Sequence, residues 1–396
     1  MLFRSNAAKA EMLSGFHYWN IGHGERSLAA FSKAHSLLEQ AEPSPTVAHV
    51  ASRLAINTML RGQFEQTVAL CERALGIAEE FDLADIRCHV LNTRGVARVV
   101  HRGDLGGLAD MEASLEIADR MSAVEGMIRG CKNLASTLTE LGDLDRAVEL
   151  ERRGVEVARR FGIDFQLVWF ETELGVLAFL KGDWDAADGA FASLDRWVAQ
   201  VGPHYMEAAA HITRAKIRAA RGEPGAQPHS DQALDFARRS GEAQVLFPTL
   251  ADAALIAATI GDADAARSVA ELFDELAEAE PGKVAGSYWS TVFALALALT
   301  DQPERLAAHD MKGPSRWVTA ANLITEGRYA EAGDELGEIG GKPEQALARL
   351  LAARDLIRRG SRAEGEAELQ RAVEFWAGVR ATRYLAMAEA LMAQTA

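Results

Sequence analysis

An all-α solenoid of stacked helical hairpins is the fold this sequence predicts, on three observations: its length, its helix-permissive composition and a repeat of about forty residues. At 396 residues the chain exceeds one ordinary core, so it must hold several domains or an array whose core grows along one axis. Composition favours the array, because aromatics make up 7% and prolines number 10, which permits long helices and disfavours many short strands.

The repeat is read from a recurrent turn, Gly followed mostly by Asp, Glu or Gln. Its glycines are Gly22, Gly62, Gly103, Gly142, Gly182, Gly222 and Gly261, at successive spacings of 40, 41, 39, 40, 40 and 39. Seven residues before them stand Gly15, Ala55, Val96, Ala135, Gly175, Ala215 and Ala254, nearly all alanine-sized or smaller. Two helices are therefore expected to touch there, with the glycine supplying the left-handed backbone that ends the first of them. Five residues after the turn a second small position holds Ser27, Thr67, Ala147, Ala187 and Ala266, broken by Leu108 and Gln227. Within one unit, Ile128, Cys131, Leu134, Ala135, Leu138 and Leu141 recur at helical steps and mark one apolar face.

A degenerate eighth unit is expected near Asp301-Gln-Pro-Glu, with Ala294 in the small position. Gly313-Pro314 then breaks the pattern, and Gly327 and Gly360 follow at a shorter spacing of 33, with Ala320 and Ala353 seven residues ahead. The domains predicted are an array over 1–300, an irregular connection over 301–315, and shorter repeats with a capping helix over 316–396.

The segments Gly142-Asp-Leu-Asp-Arg-Ala147, Gly182-Asp-Trp-Asp-Ala-Ala187 and Gly327-Arg-Tyr-Ala-Glu-Ala332 resemble the inter-helix turn of tetratricopeptide (TPR) repeats. The resemblance covers nearly the whole chain and implies a right-handed superhelical solenoid. The period of about 40 departs from the 34 residues usual in that family. HEAT-type repeats have periods near this length, but they leave the Gly-Asp turn unaccounted for. The stretch Gly378-Val-Arg-Ala-Thr-Arg-Tyr-Leu-Ala-Met-Ala-Glu-Ala-Leu391 resembles the end of the C-terminal TPR array of large actinobacterial ATPase, adenylate-cyclase-type or transcriptional regulators. That similarity implies a bacterial signalling context.

Several kinds of chemistry are argued against. A formal charge of −15 disfavours a nucleic-acid partner, which calls for a positive, counterion-releasing surface. Cys71, Cys88 and Cys131 are odd in number and widely spaced, as buried thiols in a reducing compartment would be. The opening MLFRSNAAKAEMLSG lacks an apolar core after a basic start, and the most apolar window, Tyr288 to Leu299, is too short for a membrane span, so a soluble cytoplasmic protein is expected. Gly282-Lys283-Val284 and Gly341-Lys342-Pro343 lack the hydroxyl of a phosphate-binding loop, and Gly103-Asp-Leu-Gly106-Gly107 joins two predicted helices rather than a strand and a helix. Neither His17 and His23, which flank Trp19, nor His204 and His211 have metal-site spacing. Hence no catalytic residue, cofactor or metal site is expected.

In TPR arrays the first helices line a concave groove, and the resemblance implies groove positions thirteen, ten, nine, six and three residues before each turn glycine. The third-to-fifth full repeats are the most polar and aromatic at these positions, and they offer Arg129, Lys132, Asn133, Ser136, Trp169, Thr172, Phe179, Ile212 and Lys216. Cations with an amide and an indole suit a protein or peptide that is acidic or carries a carboxylate. The family's two-carboxylate clamp is only partly present, since Trp169 and Glu173 stand where a second basic pair would be needed. The function expected is a non-enzymatic protein- or peptide-binding or ligand-sensing module of a signalling regulator. A free-standing peptide-responsive regulator whose superhelix changes pitch comes second, and an enzyme with a site between repeats third.

Overall fold

The computed structural model describes residues 2–20, 24–39, 41–60, 62–202, 206–240, 243–279, 287–308 and 313–393. Gly22, His23, His204, the Gly282-Lys283-Val284 segment and the side chain of Trp19 lie outside what is described. Among the described residues none is in a strand, and no helix is long and apolar enough to cross a membrane. The chain forms an all-α array of TPR-like helical hairpins, divided into two compact units, Met1–Thr137 and Leu138–Ala396. The repeat length changes near 300–315, whereas compactness divides the chain elsewhere, within one helix.

Unit 1 holds the pairs α1 (Leu2–Asn20) and α2 (Gly24–Leu38), α3 (Pro45–Leu60) and α4 (Phe64–Glu80), α5 (Ala84–Arg102) and α6 (Gly106–Met121), and most of α7 (Val124–Leu141). Unit 2 continues with α8 (Leu144–Phe161), then pairs α9 (Asp164–Leu180) with α10 (Trp184–Val201), α11 (Glu207–Arg221) with α12 (Ala226–Ser240), and α13 (Ala243–Ile260) with α14 (Ala263–Ala279). Next come α15 (Tyr288–Leu299) with a 3₁₀ turn (Pro303–Ala308), α16 (Arg316–Thr325) with α17 (Tyr329–Ile339), α18 (Lys342–Arg358) with α19 (Arg362–Val379), and a last helix α20 (Thr382–Ala393).

The Gly-Asp turn works as two caps in succession. At Gly142 the backbone is left-handed, with φ +90°, and the Asp143 amide donates back to the Leu138 carbonyl at 2.8 Å, which closes α7 as a Schellman motif. Asp143 then starts α8, its carboxylate accepting from the Arg146 amide; Asp183 and Asp262 do the same for the Ala186 and Ala265 amides. Every described turn glycine of the predicted series has positive φ. The degenerate unit keeps this geometry without glycine: Asp301 has φ +56° and the Gln302 amide donates to the Leu297 carbonyl at 2.8 Å.

The small positions meet as expected. Ser27 donates to the Gly15 carbonyl at 2.9 Å, and Ala55, Ala135 and Ala215 are fully buried. In the α5/α6 pair the contact is displaced by one residue from the expected Val96 and Leu108. A Cβ on Gly107 would lie 2.4 Å from the Gly95 carbonyl oxygen, so these two glycines take the closest approach and Leu108 is not an interruption of the pattern. A second left-handed turn also recurs every forty residues, at Asp82, Ser122 and Gly162, and closes α4, α6 and α8; Gly202 follows at the same spacing after α10 with positive φ but an extended ψ of 176°.

In unit 2 the C-terminal helices cap the long repeats. The last carbonyls of a helix have no partner within it. Here the Thr139 and Glu140 carbonyls of α7 accept from Trp317 Nε1 (2.8 Å) and Ser315 Oγ (2.5 Å). The Arg221 carbonyl of α11 accepts from Thr382 Oγ1 (2.7 Å), and the Ile260 carbonyl of α13 from an Arg383 guanidinium (3.2 Å). Around these bonds Trp184 packs edge-on against Phe375, and Asp185 pairs with Arg221 and Arg380.

Candidate functional site

The first-helix face of unit 1 carries a half-buried polar cluster that includes positions expected for ligand contact. Arg129 on α7 reaches to α5, donating to the His89 carbonyl (3.2 Å) and to Thr93 Oγ1 (2.7 Å). One turn on, Asn133 Nδ2 donates to Asn92 Oδ1 at 2.6 Å. Asn92 is 2% exposed, and its own Nδ2 has no hydrogen-bond partner among the described residues. A buried amide donor left open in this way is unfavourable until something accepts from it. Lys132 is half-buried beside this pair, and Ser136 is exposed.

Charge on this face is positive and poorly hydrated. Burial draws the Arg129 guanidinium down to about 10, and the nearby Arg53 adds to the effect. Arg53, on α3, is lowered by burial too, opposed by Glu125 and Asp85; its carboxylate neighbour Glu125, at 4.0 Å, is largely exposed. Burial, followed by Arg129 and Arg53, holds His89 at about 4, so it is neutral near pH 7. Two guanidinium groups, a neutral imidazole and an open amide donor suit a carboxylate or a row of peptide carbonyls.

The remaining expected residues lie inside unit 2. Trp169 is 6% exposed and packs edge-on against Phe170, while Thr172 is fully buried and donates to the Val168 carbonyl. Ile212 sits in an apolar cluster with Ala215 and Ile256. Phe179 stacks on Trp184 and lies under the Lys216 ammonium, 4.6 Å from its ring centre. That ammonium pairs with Asp252 at 2.9 Å and donates to the Tyr288 hydroxyl at 3.1 Å, which in turn donates to Glu344 at 2.8 Å. Burial pushes both carboxyl groups and the phenol upward from their ordinary values. The space left beside Lys216 and Glu344 is about 20 Å³, room for roughly one water. These side chains face an interior because α15 and α18 supply Tyr288 and Glu344 across the first-helix face.

Arg53, His89 and Asn92 escaped the sequence reading. Arg53 stands nine residues before Gly62, one of the counted offsets, and was legible by extending the count to that repeat. Asn92 stands eleven before Gly103, off every counted position, so its partnership with Asn133 is visible only in three dimensions.

No protein-family model and no curated protein matches the sequence. Among solved structures, the apo form of the quorum sensor NprR from B. thuringiensis is similar over 93% of this chain and 98% of that one, with TM-score 0.54 and 12% identity. The apo form of RapI covers 93% of this chain and 97% of its own at 12% identity, and yeast Tom70 covers 98% and 96% at 14% identity. Their TM-scores of 0.25 and 0.30 add nothing to the fold assignment, which the NprR likeness supports.

Proposed function

We propose that the chain is a non-enzymatic protein- or peptide-binding, ligand-sensing TPR module of a bacterial signalling regulator, working in the cytoplasm. Its ligand is an acidic or carboxylate-bearing peptide received on the α3/α5/α7 face of unit 1 by Arg129, Lys132, Asn133 and Ser136, with Arg53 adding charge. The observation that carries this is the open, buried Asn92 donor beside two partly desolvated guanidinium groups. Such donors gain most from an anionic acceptor, because a charge-assisted hydrogen bond is roughly twice as strong as a neutral one. The fold likeness to a quorum sensor is in keeping with a sensing role. The chain's charge of −15 argues against a direct nucleic-acid partner, and no membrane role is proposed.

A second reading is a free-standing peptide-responsive regulator whose repeats change pitch on binding. It is favoured by one observation: the likeness to the quorum sensor spans nearly all of both chains. In that reading Trp169, Thr172, Phe179, Ile212 and Lys216 meet ligand only in an opened form of unit 2.

Native mass spectrometry of protein purified from cells identifies a bound peptide, whose affinity is then measured with its free and its amidated carboxyl terminus. The Arg129→Ala variant, checked for unchanged helicity, is expected to bind about tenfold more weakly or worse. Equal affinity in that variant, for both peptide forms, overturns the assignment to unit 1. Loss of binding in Trp169→Ala alone moves recognition to unit 2.

A further inference from the structure

A cavity with apolar walls belongs to unit 2 and is lined by none of the residues of the face discussed above. It measures about 490 Å³ and opens between α15, α18 and α20. It is lined by Leu299, by Leu350 and Leu351, and by Met387 and Leu391, which stand one turn apart on the last helix. This volume lies within the range of about 300–1,000 Å³ typical of small-molecule sites, and aliphatic walls with few polar groups are the usual lining.

The polar groups of the lining are two arginines on one side of α18, Arg354 and Arg358, four residues apart. Arg354 uses one N–H on the Ala298 carbonyl at 2.8 Å, and its nearest carboxylate, Asp301, is 3.5 Å away and largely exposed. Arg358 is exposed and makes no ion pair among the described residues. The neighbouring Arg359 is answered by Asp355, so the imbalance falls on the two side chains that border the cavity. An aliphatic pocket rimmed by two guanidinium groups and one carboxylate is complementary to a ligand with an apolar chain and one anionic end.

We propose that this cavity is a binding site for a medium-chain aliphatic carboxylate, its chain between α18 and α20 and its carboxylate on Arg354 and Arg358. A chain alcohol of equal length offers the same apolar contact without the charge, so the two halves of the site can be tested apart.

The test titrates the full chain with dodecanoate and with dodecanol, below the concentrations at which either aggregates, by calorimetry and by methyl NMR of Met387. Dodecanoate is expected to bind at a single site, with dodecanol and the Arg358→Gln variant each about tenfold weaker. Filling the cavity with Met387→Trp, or with Leu391→Trp should the first variant fold poorly, is expected to abolish binding while helicity is kept. Absence of dodecanoate binding, binding that survives both tryptophan variants, or dodecanol binding as tightly as dodecanoate would each overturn the proposal.

Discussion

The two units present the same construction on their first helices, and it meets different surroundings in each. In unit 1 the face of α3, α5 and α7 keeps Arg53, His89, Arg129 and Asn133 half-buried, with hydrogen bonds passing from one repeat to the next. In unit 2 the face of α9, α11 and α13 is closed by side chains from α15, α18 and α20, and Lys216 retains 8% of its side-chain exposure. A position within a repeat therefore sets which way a side chain points, while distant parts of the chain decide whether solvent or protein meets it. A lysine meant for a groove becomes, under those helices, the cation of an internal polar network.

The largest effect that would break this comparison is expected at Lys216. Lys216→Met leaves Asp252 and Glu344 buried without their cation and is expected to destabilise unit 2 by roughly 3–5 kcal/mol. Arg53→Met, whose carboxylate neighbour is exposed, should lower stability by about 1 kcal/mol or less. Denaturant titration of both variants gives the two values, and equal losses would mean that the faces are alike after all.

Backbone contact offers the next test. Gly107→Leu forces a side chain into the 2.4 Å gap to the Gly95 carbonyl and is expected to lower stability by ~1–3 kcal/mol or more, seen as a fall in melting temperature. An unchanged melting temperature would restore the unshifted register at Val96 and Leu108.

Acid should act with opposite sign at the two faces. His89 titrates near 4 in the folded chain and near 6.5 in the unfolded one, so the unfolded chain holds more protons between these values and stability falls as the pH is lowered through that window. Glu344 is raised by burial, so the folded chain holds its proton to higher pH, and stability falls as the pH rises above the ordinary carboxyl value. Relative to the native chain, His89→Gln should gain stability as pH drops from 6.5 to about 4, by up to roughly 3 kcal/mol, and Glu344→Gln should gain as pH rises above the ordinary carboxyl value. Parallel denaturation curves across this range would remove the distinction. A small effect is expected from Thr382→Val, which uncaps the Arg221 carbonyl and should lower the stability of unit 2 by ~1 kcal/mol; no change in its denaturation midpoint would deny the cap its role.

The repeat was legible because one conformational need, a left-handed residue followed by a helix start, is met almost everywhere by Gly and often by Asp. The second turn series was not, because Asp82, Ser122 and Gly162 answer the same need with three residue types. Arg129 and Asn133 could be found by counting along one helix. The burial of Trp169, Phe179 and Lys216 could not, since it depends on residues such as Glu344 more than a hundred positions away. Periodicity along the chain describes a repeat and its neighbour, and it is silent on where the array meets its own distant turns.

All three cysteines of the chain, Cys71, Cys88 and Cys131, fall within unit 1, and all are buried. Burial pushes the Cys71 thiol up to about 12 and raises Cys88 as well, so the nucleophilic thiolate is scarce while unit 1 is closed. The native chain thus comes with a clock on one of its two units: alkylation under folding conditions proceeds only as fast as unit 1 opens, and events confined to unit 2 leave it unlabelled. A ligand that settles on unit 1 should slow that clock, and one that settles only in the cavity beside α20 should not.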